Sequence, residues 1–311
     1  MKIGSVWYQG ATRLAVAVGE HHAAIVGGPH SGCPSDIYEV IAQWPGIAQR
    51  LADALTDAPV EPVAALHWLP PVPRPGKIVC VALNNSANKE RIMSGPDHPA
   101  TFIKPASSLI GHNQPVRLRP GYGRVHPEPE LAVVIGRRAT DVDRKDALDY
   151  VFGYTVINDL TAPEMRGEDT FHYRAIHPAK DDPTAINYVD SWVSYPGRYK
   201  GADTFGPIGP WIATADDIPD PHDLVVRCLH KGQLVTEDNT ANLTYKVADV
   251  IAFVSSYQML EPGDVIAMGT ALKKAGTAGQ AVQNVDLTKL GGPIEVSISG
   301  IGTLSNTVEY R

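Results

Sequence analysis

The sequence predicts a mixed α/β protein that is predominantly β, in two parts. A small N-terminal α+β domain spans residues 1–72, and a larger β-rich domain spans residues 73–311. Three observations carry that reading. The apolar stretches are short, rich in Val and Ile, and bounded by Gly, Pro or Asn, the pattern of strands rather than long helices. Only one later segment keeps helical spacing over several turns, so the strand–helix alternation of a doubly wound parallel sheet is missing. Between residues 57 and 76, Pro59, Pro62, Pro70, Pro71, Pro73 and Pro75 exclude regular structure, because proline fixes φ and lacks an N–H. The domain boundary is placed there.

In order along the chain, residues 2–28 read as short strands turning at residues 9–10 and 19–20. Ser35 or Asp36 caps a helix to about residue 43; Pro45 and Gly46 interrupt it, and a second helical piece runs to about residue 55. Residues 77–83 form a buried strand leading into a polar segment, 84–99. A further strand and loop, 101–116, carry Lys104, Ser107 and Ser108, which either line a pocket or shape a turn. Residues 131–135 and 150–157 are two more buried strands. Residues 160–203 read as a long irregular loop, too aromatic for a disordered tail and expected to fold over something. Residues 224–229 and 233–236 make a hairpin about Lys231 and Gly232. Val247, Val250, Ile251 and Val254 lie on one face of a helix over 245–258. A turn at 261–264, a strand at 265–268, the alternating strand 294–298 and a last strand beyond Gly302 complete the chain.

Composition narrows the function. Lys and Arg number 27 against 34 Asp and Glu, a net charge of −7, and no basic run stands out, which argues against nucleic acid and anionic membranes as partners. No stretch approaches the roughly 18 apolar residues of a membrane span, and residues 1–11 lack the apolar core of a signal peptide. The three cysteines, Cys33, Cys80 and Cys228, have neither disulfide-framework nor metal-type spacing. A cytoplasmic location is expected. There is no serine nucleophile elbow, phosphate loop or dinucleotide fingerprint.

The chemistry concentrates at residues 126–136. Side chains alternate along an extended segment, so Glu128 and Glu130 point the same way, and Pro127 and Pro129 hold the preceding residues extended. Two carboxylates projecting together repel unless a proton or a cation lies between them. Asp159, at the end of the next strand, brings a third carboxylate to the same place. Such a hard-oxygen set suits Mg²⁺, Mn²⁺ or Ca²⁺ better than structural zinc. Solvated acids at a strand mouth are the alternative at this level.

With these residues in view, the chain resembles the fumarylacetoacetate hydrolase family over about residues 74–311. The resemblance rests on seven blocks in the family's order: KIVCVALN (77–84), KPASSLIG (104–111), EPELAVVIG (128–136), FGYTVIND (152–159), KGADTFGPIGPW (200–211), LEPGDVIAMGT (260–270) and GIGTLSNT (300–307). It implies a β-roll catalytic domain, a homodimer, and a divalent cation held by Glu128, Glu130 and Asp159, with Mg²⁺ expected and Mn²⁺ or Ca²⁺ as alternatives. It also implies a catalytic Lys200 and substrate contacts at Gly269 and Thr270. The implied function is cleavage of a carbon–carbon bond in a β-diketo acid or related 2-oxo acid, through an enolate that the cation stabilises, in the breakdown of aromatic or sugar acids. A tautomerase, isomerase or decarboxylase in the same fold, or a member that binds ligand without turnover, are the other readings.

The pattern breaks in the segment after Asn84. Where many members carry a histidine and, three residues on, a glutamate that activate water, this chain has Asn88 and Arg91, neither of which can serve as a base. Glu90 falls one residue out of register. Pro163 and Arg166 replace an arginine and a glutamine beyond the metal aspartate. Three readings follow: the base comes from His172 or His177 in the aromatic loop, the reaction needs no activated water, or there is no turnover. Arg166 either binds a substrate carboxylate bidentately or pairs with Glu164 or Glu168. Asn88 and Lys104 are candidate substrate contacts. His126 is either a partner that orients a carboxylate or an exposed strand-start residue. His21, His22 and His30 read as solvated.

Overall fold

Every residue of the strand Pro129–Ile135 is buried, so both faces of the sheet at this point need a cover. The pleat sends Leu131, Val133 and Ile135 to one side, where they pack with Val250, Ile251 and Val254 of the helix Val247–Ser255. Val134 faces the opposite side and joins Phe152, Ile212 and the N-terminal residues Val40, Ile41 and Leu51. The computed structural model describes residues 1–28, 32–34, 36–89, 91–272 and 281–311.

The main sheet has eleven strands. Its path runs Val60–Pro62, His22–Val26, Ala11–Val18, Lys2–Tyr8, Trp211–Thr214, Val151–Asn158, Pro129–Ile135, Val265–Ala267, Ile78–Ala82 and Ala100–Lys104, with His67–Trp68 beside Lys2–Tyr8. The sheet is continuous across residue 72, because Lys2, Ile3 and Gly4 pair with Ala213, Ile212 and Trp211. The N-terminal helices Ile37–Gln43 and Ala48–Ala54 therefore help to cover the strand that carries Glu130. Asp36 caps the first of them, accepting from the backbone N–H groups of Tyr38 and Glu39 at 2.9 and 3.0 Å. Ser35, the other candidate cap, lies outside the described residues, as do His30 and Glu90.

A second sheet of four strands runs Gln233–Asn239, Val225–His230, Ile294–Ile298 and Gly302–Asn306. Val226, Val296 and Ile298 close the core against Val133. Lys231 and Gly232 make the expected hairpin turn, both with positive φ (52° and 76°), as a two-residue turn that matches strand twist requires. No helix among the described residues is long and apolar enough to cross a membrane.

Residues 160–203 differ from the irregular loop expected. They contain a helix, Pro163–Glu168, a regular antiparallel hairpin of Thr170–Pro178 with Ile186–Ser194, and a short helix, Gly197–Gly201. The hairpin escapes a period-2 reading because apolar residues stand on both of its faces. Its β-branched and aromatic content is nonetheless what cross-strand pairing favours.

Candidate metal centre

Two strand ends are stapled together to build the site. Glu128 donates its backbone N–H to Asn158 Oδ1 (2.8 Å), and Asp159 donates its own to the Glu128 carbonyl (2.9 Å). One step further out, His126 and Thr161 exchange backbone hydrogen bonds of 3.0 and 3.1 Å. This register brings Glu128, Glu130 and Asp159 together, with one carboxylate oxygen from each lying within 4.8 Å of the others. Glu130 and Asp159 are buried and Glu128 partly so.

The segment after the strand Val265–Ala267 closes over them. Glu130 Oε2 accepts from the Gly269 N–H (2.8 Å), and Thr270 Oγ1 lies 3.0 Å from Glu130 Oε1 and 3.1 Å from Glu128 Oε2. Gly269 has φ +102°, and a Cβ there would lie 2.8 Å from Asn84 Cβ, so only glycine fits. Asn84 holds the segment by donating Nδ2 to the Met268 carbonyl (2.7 Å). Asn85 Nδ2 reaches the Thr270 carbonyl (3.3 Å) and Asp238 Oδ2 (2.9 Å), and Asp238 also accepts from the Leu272 N–H at 2.9 Å.

Two lysines complete the cluster. Lys200, on the helix Gly197–Gly201, donates Nζ to Glu128 Oε2 (2.5 Å) and Asp159 Oδ2 (2.7 Å). Lys104 is buried behind it, donating Nζ to the carbonyls of Lys200 and Phe205. Its Nζ also lies 2.9 Å from Asp159 Oδ1, an ion pair whose alignment falls short of a hydrogen bond. Burial alone would raise the Asp159 pKa, but Lys104 and Lys200 outweigh it and hold the carboxyl below the usual range. Burial would lower Lys200, yet Asp159, Glu128 and Glu130 together hold its ammonium above the ordinary lysine value. Glu130 goes the other way: burial first, then the negative charges of Asp159 and Glu128, push it well above a normal glutamate.

Three carboxylates against two ammonium groups leave negative charge uncompensated, and it shows at Glu130. A divalent cation relieves that excess, and three hard oxygen donors are what Mg²⁺ and Mn²⁺ take. The donor set fits the metal.

The other candidate residues fall in several places. Asn88 is buried, and its Oδ1 accepts from Arg91 Nη2. Arg166 sits in the last turn of the helix Pro163–Glu168; Glu164 and Glu168 engage Arg124 and Arg198. His172 stacks on Trp192 with ring centroids 4.0 Å apart, and His177 pairs across the hairpin with Asn187, so the described contacts of both are within that hairpin. The histidine that reaches the carboxylates is His126. It is buried, its Nδ1 is 3.2 Å from the Pro127 carbonyl, and its Nε2 is 3.9 Å from Glu128 Oε1. Burial lowers its pKa, against the opposing pull of Glu128. Sequence reasoning left His126 between two roles and passed over Asn85 and Asp238. The only signal for those two was polar residues flanking buried strands.

A family model, fumarylacetoacetate (FAA) hydrolase C-terminal, matches residues 77–309. The chain belongs to the fumarylacetoacetate hydrolase family. Among its relatives in that family, the mitochondrial oxaloacetate tautomerase Fahd2a of Rattus norvegicus is 31% identical over 251 residues, 80% of this chain and 72% of that protein. The maleylpyruvate hydrolase of Sphingobium sp. SYK-6, solved with manganese (II) ion and pyruvate, superposes with a TM-score of 0.73 at 28% identity, covering 100% of this chain and 99% of that one. The 5-carboxymethyl-2-hydroxymuconate delta-isomerase of Mycobacterium smegmatis superposes with a TM-score of 0.67 at 25% identity, covering 100% and 99%. Fumarylacetoacetate hydrolase family proteins thus include a hydrolase, an isomerase and a tautomerase, one of them solved with manganese, and the acidic triad of this chain is a donor set that could hold a divalent cation.

Proposed function

We propose that this chain is a divalent-metal-dependent enzyme that cleaves a carbon–carbon bond of a β-diketo acid or related 2-oxo acid by hydrolysis. One observation carries the reading: Glu128, Glu130 and Asp159 converge, and the Lys200 ammonium spans two of them. Glu128, Glu130 and Asp159 would hold the cation, Mg²⁺ by preference, which supplies Lewis-acid polarisation of substrate oxygens and stabilises charge developing on them. Lys200 places fixed positive charge where an oxyanion forms. The Thr270 hydroxyl stands within hydrogen-bond distance of both Glu128 and Glu130 and donates to one of them at a time, and Gly269 gives its N–H to Glu130 Oε2.

Hydrolysis needs a group that accepts a proton from water. His126 supports this role by its place, buried with Nε2 3.9 Å from Glu128 Oε1. Its Nδ1 is 3.2 Å from the Pro127 carbonyl, and a proton held there would leave the Nε2 lone pair on the Glu128 side. A second reading, tautomerisation, isomerisation or decarboxylation without activated water, is favoured by Asn88 and Arg91, where Arg91 donates to Asn88 and neither side chain can take a proton from water.

The test is a panel of β-diketo and 2-oxo acids incubated with Mg²⁺ or Mn²⁺ in ¹⁸O-labelled water and read by mass spectrometry. A carboxylic fragment newly carrying one ¹⁸O, lost in His126→Gln but kept in His172→Gln and His177→Gln, is the expected result. CO₂ loss or a mass-neutral shift without a labelled fragment would move the enzyme to the second reading. Turnover unaffected by chelator would remove the metal role altogether.

A further inference from the structure

Lys104 ends the strand Ala100–Lys104, which closes one side of the main sheet and, among the described residues, pairs only with Ile78–Ala82. Its side chain is 0% exposed. An ammonium has three donors and no acceptor, and three oxygens already surround this one. They are the Lys200 carbonyl, the Phe205 carbonyl at 3.1 Å and Asp159 Oδ1 at 2.9 Å. No donor is left over for a substrate. Phe102, two residues back and so on the same face of the strand, lies against the other lysine, with Lys200 Nζ 5.4 Å from the centre of its ring. Pro105, next in the chain, bounds the helix that carries Lys200, since a Cβ at Gly201 would lie 2.9 Å from Pro105 Cδ.

That helix cannot place itself. Gly197–Gly201 has five residues and no side-chain cap, too short to be stable alone. Elsewhere it is tied by the Tyr199 carbonyl, which accepts from the Ala162 N–H at 3.1 Å, and by Arg198, which pairs with Glu168 and Asp169 while half exposed. Half-exposed ion pairs hold weakly, whereas a buried ammonium bonded to a carbonyl holds strongly.

We propose that Lys104, assisted by Phe102, is the positioning residue for Lys200. The end strand of the sheet fixes Lys200 at two points, its carbonyl through Lys104 and its ammonium through the Phe102 ring. Lys104 also fixes Asp159 by Oδ1, the oxygen that Lys200 leaves free when it donates to Oδ2. Lys104 touches no substrate and acts on the reaction only through these two residues. Its importance for turnover rests on the reading of Lys200 as the charge that faces a developing oxyanion, but the placement of Lys200 can be measured without turnover.

The test is labelling of lysines by limiting acetic anhydride on the full chain in EDTA, read by peptide mass spectrometry, for wild type, Lys104→Met and Phe102→Leu. Lys77 is the control: it precedes Ile78, the pairing partner of Lys104, and is held by Asp264 at 18% exposure, so a strand end that merely loosens frees it too. In Lys104→Met, labelling of Lys200 is expected to rise about 10- to 100-fold, the loss of a buried hydrogen bond from a charged group, with Lys77 unchanged. Lys200 unchanged in folded Lys104→Met, or Lys200 and Lys77 rising together, overturns the proposal. With a substrate from the oxo-acid panel and saturating Mn²⁺, kcat of Lys104→Met is expected to fall about 100-fold at unchanged KM, the effect of a misplaced catalytic group. A raised KM at unchanged kcat would make Lys104 a substrate contact and overturn it as well. A wild type without turnover on the panel would count against the hydrolase reading and leave the labelling result to decide this one. Should Lys104→Met fail to fold, Phe102→Leu decides. It removes the ring and keeps the buried ammonium, so Lys200 labelling raised about two- to fivefold supports the positioning role, and unchanged labelling refutes it.

Discussion

Lys200→Met isolates the charge balance of the metal centre. Methionine keeps most of the side-chain length and removes the ammonium that lies 2.5 Å from Glu128 Oε2 and 2.7 Å from Asp159 Oδ2. Both contacts are largely shielded from water, with side-chain exposures of 12% for Lys200 and 2% for Asp159. Removing one member of a buried pair costs about 3–5 kcal/mol, because the remaining charge stays buried without its partner. At roughly 2–4 °C per kcal/mol for a large domain, the unfolding midpoint in chelator should fall by about 6–20 °C. Saturating Mn²⁺ should close part of that gap, since it compensates the same carboxylates; at a hundredfold excess over its dissociation constant, ligand binding contributes about 2.7 kcal/mol. The assay is thermal unfolding followed by circular dichroism, with EDTA and with Mn²⁺, on both proteins. Equal midpoints in EDTA, or a gap that widens with Mn²⁺, would refute the reasoning.

Asp159→Ala should abolish Mn²⁺ binding by titration calorimetry while leaving secondary structure intact; retained affinity would remove the triad as the site. Asp238→Ala removes one of the two acceptors of Asn85 Nδ2, which keeps the Thr270 carbonyl, and takes the acceptor from the part-buried Asn242 Nδ2 and Leu272 N–H; at about 1–3 kcal/mol for each group left unpaired it should cost at least about 2 kcal/mol in urea unfolding. Burial alone would raise the Asp238 pKa, but hydrogen bonds from Asn242, Leu272, Asn239 and Asn85 hold it below the ordinary value. Its stabilisation is therefore complete above the unfolded value of about 3.9 and is lost as pH falls through the lower folded one. The stability gap between wild type and Asp238→Ala should shrink below about pH 3.9, and a gap that grows there would contradict the sign. A Cβ at Gly153 would lie 2.3 Å from the Ala213 carbonyl oxygen, so Gly153→Ala must push apart the strands Val151–Asn158 and Trp211–Thr214. It should lose about 1–3 kcal/mol by overpacking, and an unchanged melting midpoint would show that the sheet absorbs the methyl freely.

Several features were legible in the residues alone because short-range periodicity encodes them. The apolar run from Leu131 to Ile135, the shared direction of Glu128 and Glu130, the turn at Lys231 and Gly232, and the helix through Val247 and Val254 all follow from neighbours within one or two turns of chain. Local rules also misread what they could not balance: the hairpin of 170–194 is apolar on both faces and so shows neither helical nor strand periodicity. Resemblance pointed to Lys200 and Thr270 as members of the site, but their partners lie far off in the chain. Thr270 meets Glu128 across 142 residues and Lys200 meets Asp159 across 41. Burial of His126 beside Glu128 and the hold of Asn85 and Asp238 on the 269–272 segment are also tertiary facts. They arise where separate strands end side by side, and packing and pairing register, rather than any residue's own preference, settle which polar groups are shut away from water together. The sequence determined which strands and charges were available; the tertiary structure decided which charges share one buried, incompletely neutralised site.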